Sequence, residues 1–90
     1  MPEDAPTSNH KATVDFWFHY RQLPPDIQSI ADKHFSLLKN NPRHPSLQLK
    51  KVGKVWSIRV GLNHRALSVK IQEGFLWFWI GEHDEYDRKI

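Results

Sequence analysis

From Asp15 onward the apolar residues of this chain follow two different rhythms. Phe16, Trp17, Tyr20 and Leu23 recur at spacings of one, four and seven, the repeat of one helix face. Leu23-Pro24-Pro25-Asp26 breaks that helix, and two prolines with an aspartate in the first turn start another. Ile27, Ile30, Ala31, Phe35 and Leu38 form its buried stripe until Asn40-Asn41-Pro42 stops it. Beyond the Pro42-Arg43-His44-Pro45 loop the period drops to two. Leu47–Val52, Val55–Gly61, Arg65–Gln72 and Phe75–Ile80 read as four strands. Gly53-Lys54, Leu62-Asn63 and Glu73-Gly74 supply the turns, so neighbouring strands run antiparallel. The pattern predicts an α+β fold. An N-terminal helical hairpin packs on one face of a small twisted antiparallel sheet, and a short C-terminal helix can follow Gly81. Met1 to Ala12 are polar and aperiodic with two prolines, and read as a flexible tail over residues 1–12 ahead of a single domain over 13–90. A short strand before Asp15 is the one element that region can add.

Alternation also assigns faces. Trp56, Ile58 and Val60 go to the core, which leaves Ser57 and Arg59 on the open side of their strand. In the next strand Leu67, Val69 and Ile71 read as core, with Ala66, Ser68 and Lys70 facing out. Strict alternation then puts Arg65 on the core side with Leu67. Either a bulge after Asn63 re-aims it or it sits at the sheet rim; both bring a guanidinium towards the end of the open groove.

Charge gives this scaffold a direction. Between Lys33 and Gln72 there are nine Lys or Arg residues and no Asp or Glu, although the chain as a whole carries a formal charge of only +3. The acids cluster at the two ends. A field of one sign over the middle of a small domain suits a polyanion, above all a nucleic-acid backbone. Four Trp and five Phe in 90 residues argue for a packed core rather than disorder. The absence of Cys excludes disulfides and thiolate metal sites, and no apolar run approaches the ~18 residues of a membrane span. With no signal-peptide pattern either, the expected setting is the cytoplasm, without a membrane partner.

Arg59 and Arg65 within that field, with His83 and Tyr86 beyond it, are the candidate catalytic residues, and Lys50, Lys51, Lys54, His64 and Lys70 the candidate RNA contacts. Each has a plainer role open to it. Arg59 can be a solvated strand residue, Tyr86 can anchor the C-terminus against the core, and a lysine pair in an edge strand guards against aggregation. Glu82, Asp84, Glu85 and Asp87 beside His83 raise a metal reading, but no paired histidines at ligand spacing support it, and no metal or cofactor is expected. Metal-independent RNA cleavage needs a 2′-hydroxyl to attack the adjacent phosphorus, a group to take its proton, and an acid for the leaving 5′-oxygen. Cations must also hold the extra charge on phosphorus. Arginine supplies charge but does not exchange protons, whereas histidine titrates near ~6.5 and can act as acid or base.

The order LPPDI, NPRHPSL, KKVGKVWSIRVGLNHRAL and WFWIGEHDEYDR resembles the RelE/ParE toxin superfamily of bacterial toxin–antitoxin systems. The likeness runs from about Phe16 to Ile90 and is strongest over Asn41 to Tyr86. It implies the fold just derived. In the RelE-like branch it also implies ribosome-dependent endoribonuclease activity on mRNA, blocked by a cognate antitoxin protein. By position Arg59 matches a central-strand cation on the scissile phosphate, and Arg65 matches the arginine of the RVG-x-x-x-R segment. His83 and Tyr86 match the C-terminal residues that assist proton transfer and base stacking. Ser57 stands where a second strand lysine can occur, and His64 replaces a common aromatic. The superfamily also contains ParE-like inhibitors of DNA gyrase, which share the scaffold without ribonuclease activity, and an inactive antitoxin-binding module is a third reading. The retained His83 and Tyr86 beside two arginines favour the ribonuclease.

Overall fold

The computed structural model describes residues 9–89. Strand β1 (Asn9–Ala12) leads into helix α1 (Val14–Arg21), and α2 (Pro25–Asn40) follows. A 3-10 turn (Pro45–Leu47) precedes β2 (Lys50–Val52), β3 (Val55–Val60), β4 (His64–Ile71), β5 (Gly74–Glu82) and helix α3 (His83–Lys89). The five strands form one sheet in the order β1-β5-β4-β3-β2. The four C-terminal strands are antiparallel, as their two-residue turns require, while β1 runs parallel to β5. Residues 9–12, expected in a tail, therefore close the far edge of the sheet; the rest of that expected tail, residues 1–8, lies outside the described residues. No described helix is long and apolar enough to cross a membrane.

Local chemistry explains the helix limits. Thr13 caps α1 by accepting the Phe16 amide on its hydroxyl at 3.0 Å. Pro25 occupies the first turn of α2, where a missing N–H costs nothing. The apolar faces of α1 and α2 meet the sheet through Phe16, Leu23, Ala31 and Leu38 against Ile58, Val60, Trp77 and Ile80. This is the main core, on the face expected.

The expected faces of β4 were reversed. Ile58 pairs with Ala66 and Trp56 with Ser68, so Ala66 and Ser68 lie under the helices, fully buried, and Lys70 shares that side. Leu67, Val69 and Ile71 occupy the opposite face with Arg59 and Arg65. Alternation defined the two sets of β4 side chains; hydrophobicity then picked the wrong one, because the second face is also partly covered. There Leu67, Trp79 and Tyr86 form a second cluster, with Val55 and Phe78 packed against it. A register shift in the β4–β5 pairing makes this possible: Leu67 pairs with Trp79 but Ser68 with Trp77, which leaves Phe78 as the extra residue of a bulge. The open face is therefore less polar than its charges alone suggest.

Candidate phosphate-binding and catalytic site

Arg59 and Arg65 stand directly opposite one another on β3 and β4. Arg65 thus sits on the open face by simple alternation, and neither a bulge after Asn63 nor a rim position is needed. Two like charges at a cross-strand pair repel, and an anion between them removes the conflict. Each guanidinium is held by a backbone carbonyl: Arg59 Nε donates to Gly61 O at 3.1 Å and Arg65 Nη1 to His64 O at 2.9 Å. Those bonds aim the forks and leave further N–H donors for a ligand. Among the described residues no carboxylate pairs with either arginine; the one ion pair there joins His83 and Asp87.

The strand beneath Arg59 is pinned from the far side. Strand β2 pairs with β3 only as far as Ser57, and the Arg59 carbonyl beyond that point is met by His34 Nδ1 of α2 at 2.7 Å. A carbonyl only accepts, so that ring nitrogen carries the proton. Sequence periodicity gave no sign of this tie, because His34 belongs neither to the apolar stripe of α2 nor to a motif.

Helix α3 brings the second pair of residues over the same face. Its first amide, on His83, donates to the Asn63 carbonyl at 2.7 Å, which fastens the helix start to the β3–β4 turn. Tyr86 is only 4% exposed and packs on Leu67 and Trp79, with its hydroxyl 3.5 Å from the buried Ser57 Oγ. The Arg65 guanidinium lies 5.9 Å from the centre of the Tyr86 ring, within cation–π range, and the His83 ring lies 5.6 Å from the same phenol. Arg59, Arg65, Tyr86 and His83 therefore form one connected row. Gly81 makes room for it: a Cβ there would run into the indole of Trp79, the wall on which Tyr86 rests.

His83 is half-exposed and its Nδ1 lies 3.3 Å from Asp87 Oδ2, four residues further along α3. Its surroundings are acidic, since Glu82 and Asp84 line a cavity of about 220 Å³ with it. No group of three or more His, Asp or Glu residues able to hold a metal occurs among the described residues. An anion meets less like charge at the arginine pair than beside His83.

The lysines divide between the two faces. Lys50 pairs with Ser57 and lies on the arginine face, and Lys54 sits in the β2–β3 turn. Lys51 pairs with Trp56, and Lys70 lies beside Phe75, both on the helix side. His64 is misplaced as an RNA contact on the arginine face. It pairs with Val60, points into the helix side and is 8% exposed, with its Nδ1 lacking a hydrogen-bond partner. Ser57 is the residue whose role the sequence hid: at 1% exposure it gives the Tyr86 hydroxyl a polar contact inside an otherwise apolar cluster.

Residues 25–88 match the ParE-like toxin domain, a span that takes in α2, the four antiparallel strands and nearly all of α3. The chain belongs to this family. The toxin domain also resembles solved RelE structures. One is the RelB–RelE antitoxin–toxin complex of Methanococcus jannaschii, with a TM-score of 0.71 at 14% identity, covering 89% of this chain and 98% of that one. Another is the RelBE2 toxin–antitoxin complex of Mycobacterium tuberculosis, with a TM-score of 0.65 at 16% identity over 86% and 99% of the two chains. The isolated E. coli RelE toxin gives 0.61 at 13% identity over 90% and 97%. At such identities the likeness establishes the shared fold, and with the family match it places the chain in the RelE/ParE toxin superfamily. No protein of curated function matches it.

Proposed function

We propose that this toxin domain is the toxic half of a toxin–antitoxin pair and acts as an mRNA endoribonuclease on the ribosome, restrained by a cognate antitoxin. The observation that carries the reading is the cross-strand pair Arg59–Arg65 with Tyr86 against the second guanidinium and His83 beyond it. RelE toxins of similar fold, held by RelB antitoxins in the Methanococcus jannaschii and Pyrococcus horikoshii complexes, support the partner.

In this mechanism the scissile phosphate lies between Arg59 and Arg65. The neighbouring 2′-oxygen attacks phosphorus, its proton passes to a base, and the bond from phosphorus to the 5′-oxygen breaks as that oxygen takes up a proton. The products carry a 2′,3′-cyclic phosphate and a 5′-hydroxyl. The arginines hold the charge that grows on the phosphoryl oxygens, and His83 carries the imidazole of the row, a group able to take and to give a proton. Tyr86, nearly buried, orients Arg65 and offers the edge of its ring to a base. Arginine and tyrosine are weak proton acceptors at neutral pH, so slow cleavage of free RNA is expected, and the ribosome supplies in-line alignment of the 2′-oxygen.

The test is cleavage of mRNA on programmed ribosomes with 5′-end mapping. Breaks at a fixed codon phase that bear 5′-hydroxyls are expected, and they should persist in chelator once ribosome integrity is maintained. A 2′-deoxy substitution at the scissile nucleotide should abolish them. Arg65→Ala should slow cleavage by roughly 100-fold, the scale of removing one preorganised oxyanion donor. Continued cutting of the deoxy substrate, or an undiminished rate in Arg65→Ala, overturns the assignment. The burial of Tyr86 favours one second reading, a scaffold that acts by binding, as a gyrase inhibitor would. Arrested replication with intact mRNA in induced cells would select it.

A further inference from the structure

On the helix side of the sheet, away from Arg59 and Arg65, the loop after α2 and the ends of β1, β3 and β5 enclose an open groove of about 540 Å³. One wall is aromatic. Trp56 is half-buried and meets Phe75 edge to face, with ring centres 5.6 Å apart and planes at 81°. The remaining lining is mixed: Pro42, Pro45 and Leu49 are apolar, Gln48 is a neutral amide, and the charged side chains Arg43 and Lys70 are both cations. Lys70 Nζ lies 5.2 Å from the Phe75 ring centre, and Arg43 is exposed at the groove mouth. The two histidines of the lining are fixed as donors. His44 Nδ1 accepts the Ser46 amide at 3.1 Å, and His10 Nδ1 accepts the Trp77 indole N–H at 3.1 Å. A neutral imidazole has one proton, so in both rings it resides on Nε2. Among the described residues no carboxylate lines the groove.

A half-buried aromatic wall beside several donors and no acceptor carboxylate matches a ligand that is flat and apolar at one end and anionic at the other. We propose that this groove binds one nucleotide unit of single-stranded RNA, its base against Trp56 and its phosphate against Arg43, Lys70 and His44. Base-on-aromatic stacking combined with a cationic track is the general means of holding single strands without reading sequence. An acidic peptide satisfies the charges but leaves the aromatic wall unused, since its carboxylates ride on flexible stems without a π face. The proposal shares with the preceding function the premise that the partner is RNA, and it does not depend on where or whether RNA is cut.

The test is titration of the full chain with adenosine 5′-monophosphate, followed through the Trp56 indole N–H and the His44 ring resonances. Inorganic phosphate, adenosine and hexaglutamate are run in parallel. Saturable shifts at both residues are expected with the nucleotide, and binding at least roughly 10-fold weaker with phosphate or adenosine alone, because stacking and charge each contribute. Arg43→Ala and Lys70→Ala, both at exposed positions, should each weaken nucleotide binding about 10-fold or less, with the shift pattern retained. Equal binding of phosphate and nucleotide overturns the stacking assignment, and tighter binding of hexaglutamate makes the groove a peptide site. Unchanged Trp56 and His44 resonances at ~10 mM nucleotide, far above ordinary non-specific affinities, refute the site altogether. The cleavage assay separates the two readings: a silent groove in a protein whose Arg65→Ala variant stops cutting removes only this inference, and nucleotide binding by a protein that never cuts RNA removes only the ribonuclease.

Discussion

Tyr86 is a scaffold residue at the same time as it is a candidate reagent. It buries its ring between Leu67 and Trp79, faces the Arg65 guanidinium, and sends its hydroxyl to Ser57 across a long 3.5 Å contact. These roles separate by substitution. Tyr86→Ala empties a buried aromatic site and should cost about 3–5 kcal/mol. Tyr86→Phe keeps the ring and gives up one weak hydrogen bond, so less than ~1 kcal/mol is expected. Thermal unfolding should place the phenylalanine variant within a few degrees of the parent and the alanine variant far below it. Loss of cleavage in the folded Tyr86→Phe protein then reports the hydroxyl itself; full activity there reduces Tyr86 to a support for Arg65. The sequence pointed to Tyr86 and both arginines through their order in the chain. It was silent about Ser57 and His34, because a lone serine in a strand and a histidine off the apolar stripe carry no periodic or motif signal. Their contacts depend on which strands and helices become neighbours.

At the scale of elements, the helix hairpin and the four antiparallel strands were legible because each has its own period and its own breakers. The parts that were not legible depend on pairing. Ala66 and Ser68 look like surface residues until Ile58 and Trp56 arrive opposite them, and the β5 bulge at Phe78 obeys no composition rule. Strand β1, which the sequence offered only as a possible short strand before Asp15, depends on pairing too: NHKA has no strand pattern and is held by parallel pairing to β5 and by the bond from Trp77 to His10. That bond makes β1 acid-sensitive. Burial first, then the charges of Lys39 and Lys70, push the His10 pKa below its ordinary 6.5. The ring also stacks on Phe75, and Nδ1 can accept the indole proton only while it is unprotonated. The unfolded chain therefore takes up a proton before the folded one does. The resulting stabilisation is complete above about pH 6.5 and is lost as pH falls through the depressed folded value. The protection of the amides of residues 9–12, their exchange measured against the intrinsic rate at each pH, should fall between about pH 7 and pH 5. His10→Gln keeps an acceptor for Trp77 without a titrating ring, and β1 in that variant should lose the extra acid sensitivity. Equal sensitivity in both proteins would show that another group controls the strand.

For the molecule as a whole, the acid-free stretch from Lys33 to Gln72 does not form the single positive face that the sequence suggested. Folding sends Lys50, Arg59 and Arg65 to one side of the sheet and Lys51, Lys70 and Arg43 to the other, with Lys54 at the hairpin tip between them. The field therefore wraps the β2–β3 edge, and a polyanion passing over that edge meets cations on both sides. Charge of this kind acts by counterion release: each phosphate neutralised on a single strand contributes about 0.7 to the slope of log affinity against log salt. Lys50→Ala and Lys54→Ala should each lower that slope by about 0.7 and weaken RNA binding modestly at low salt, with almost no difference left at high salt. Arg65→Ala should behave otherwise, because in the proposed mechanism its guanidinium meets charge that develops during the reaction. Its deficit should appear in the single-turnover rate at saturating ribosomes and survive added salt. The two classes thus separate on one graph of rate and affinity against salt concentration. A Lys54→Ala protein with the parental slope would remove the hairpin tip from the RNA path. An Arg65→Ala defect that vanishes at saturation would make that arginine one more docking charge and shift the search for the catalytic cation to Arg59.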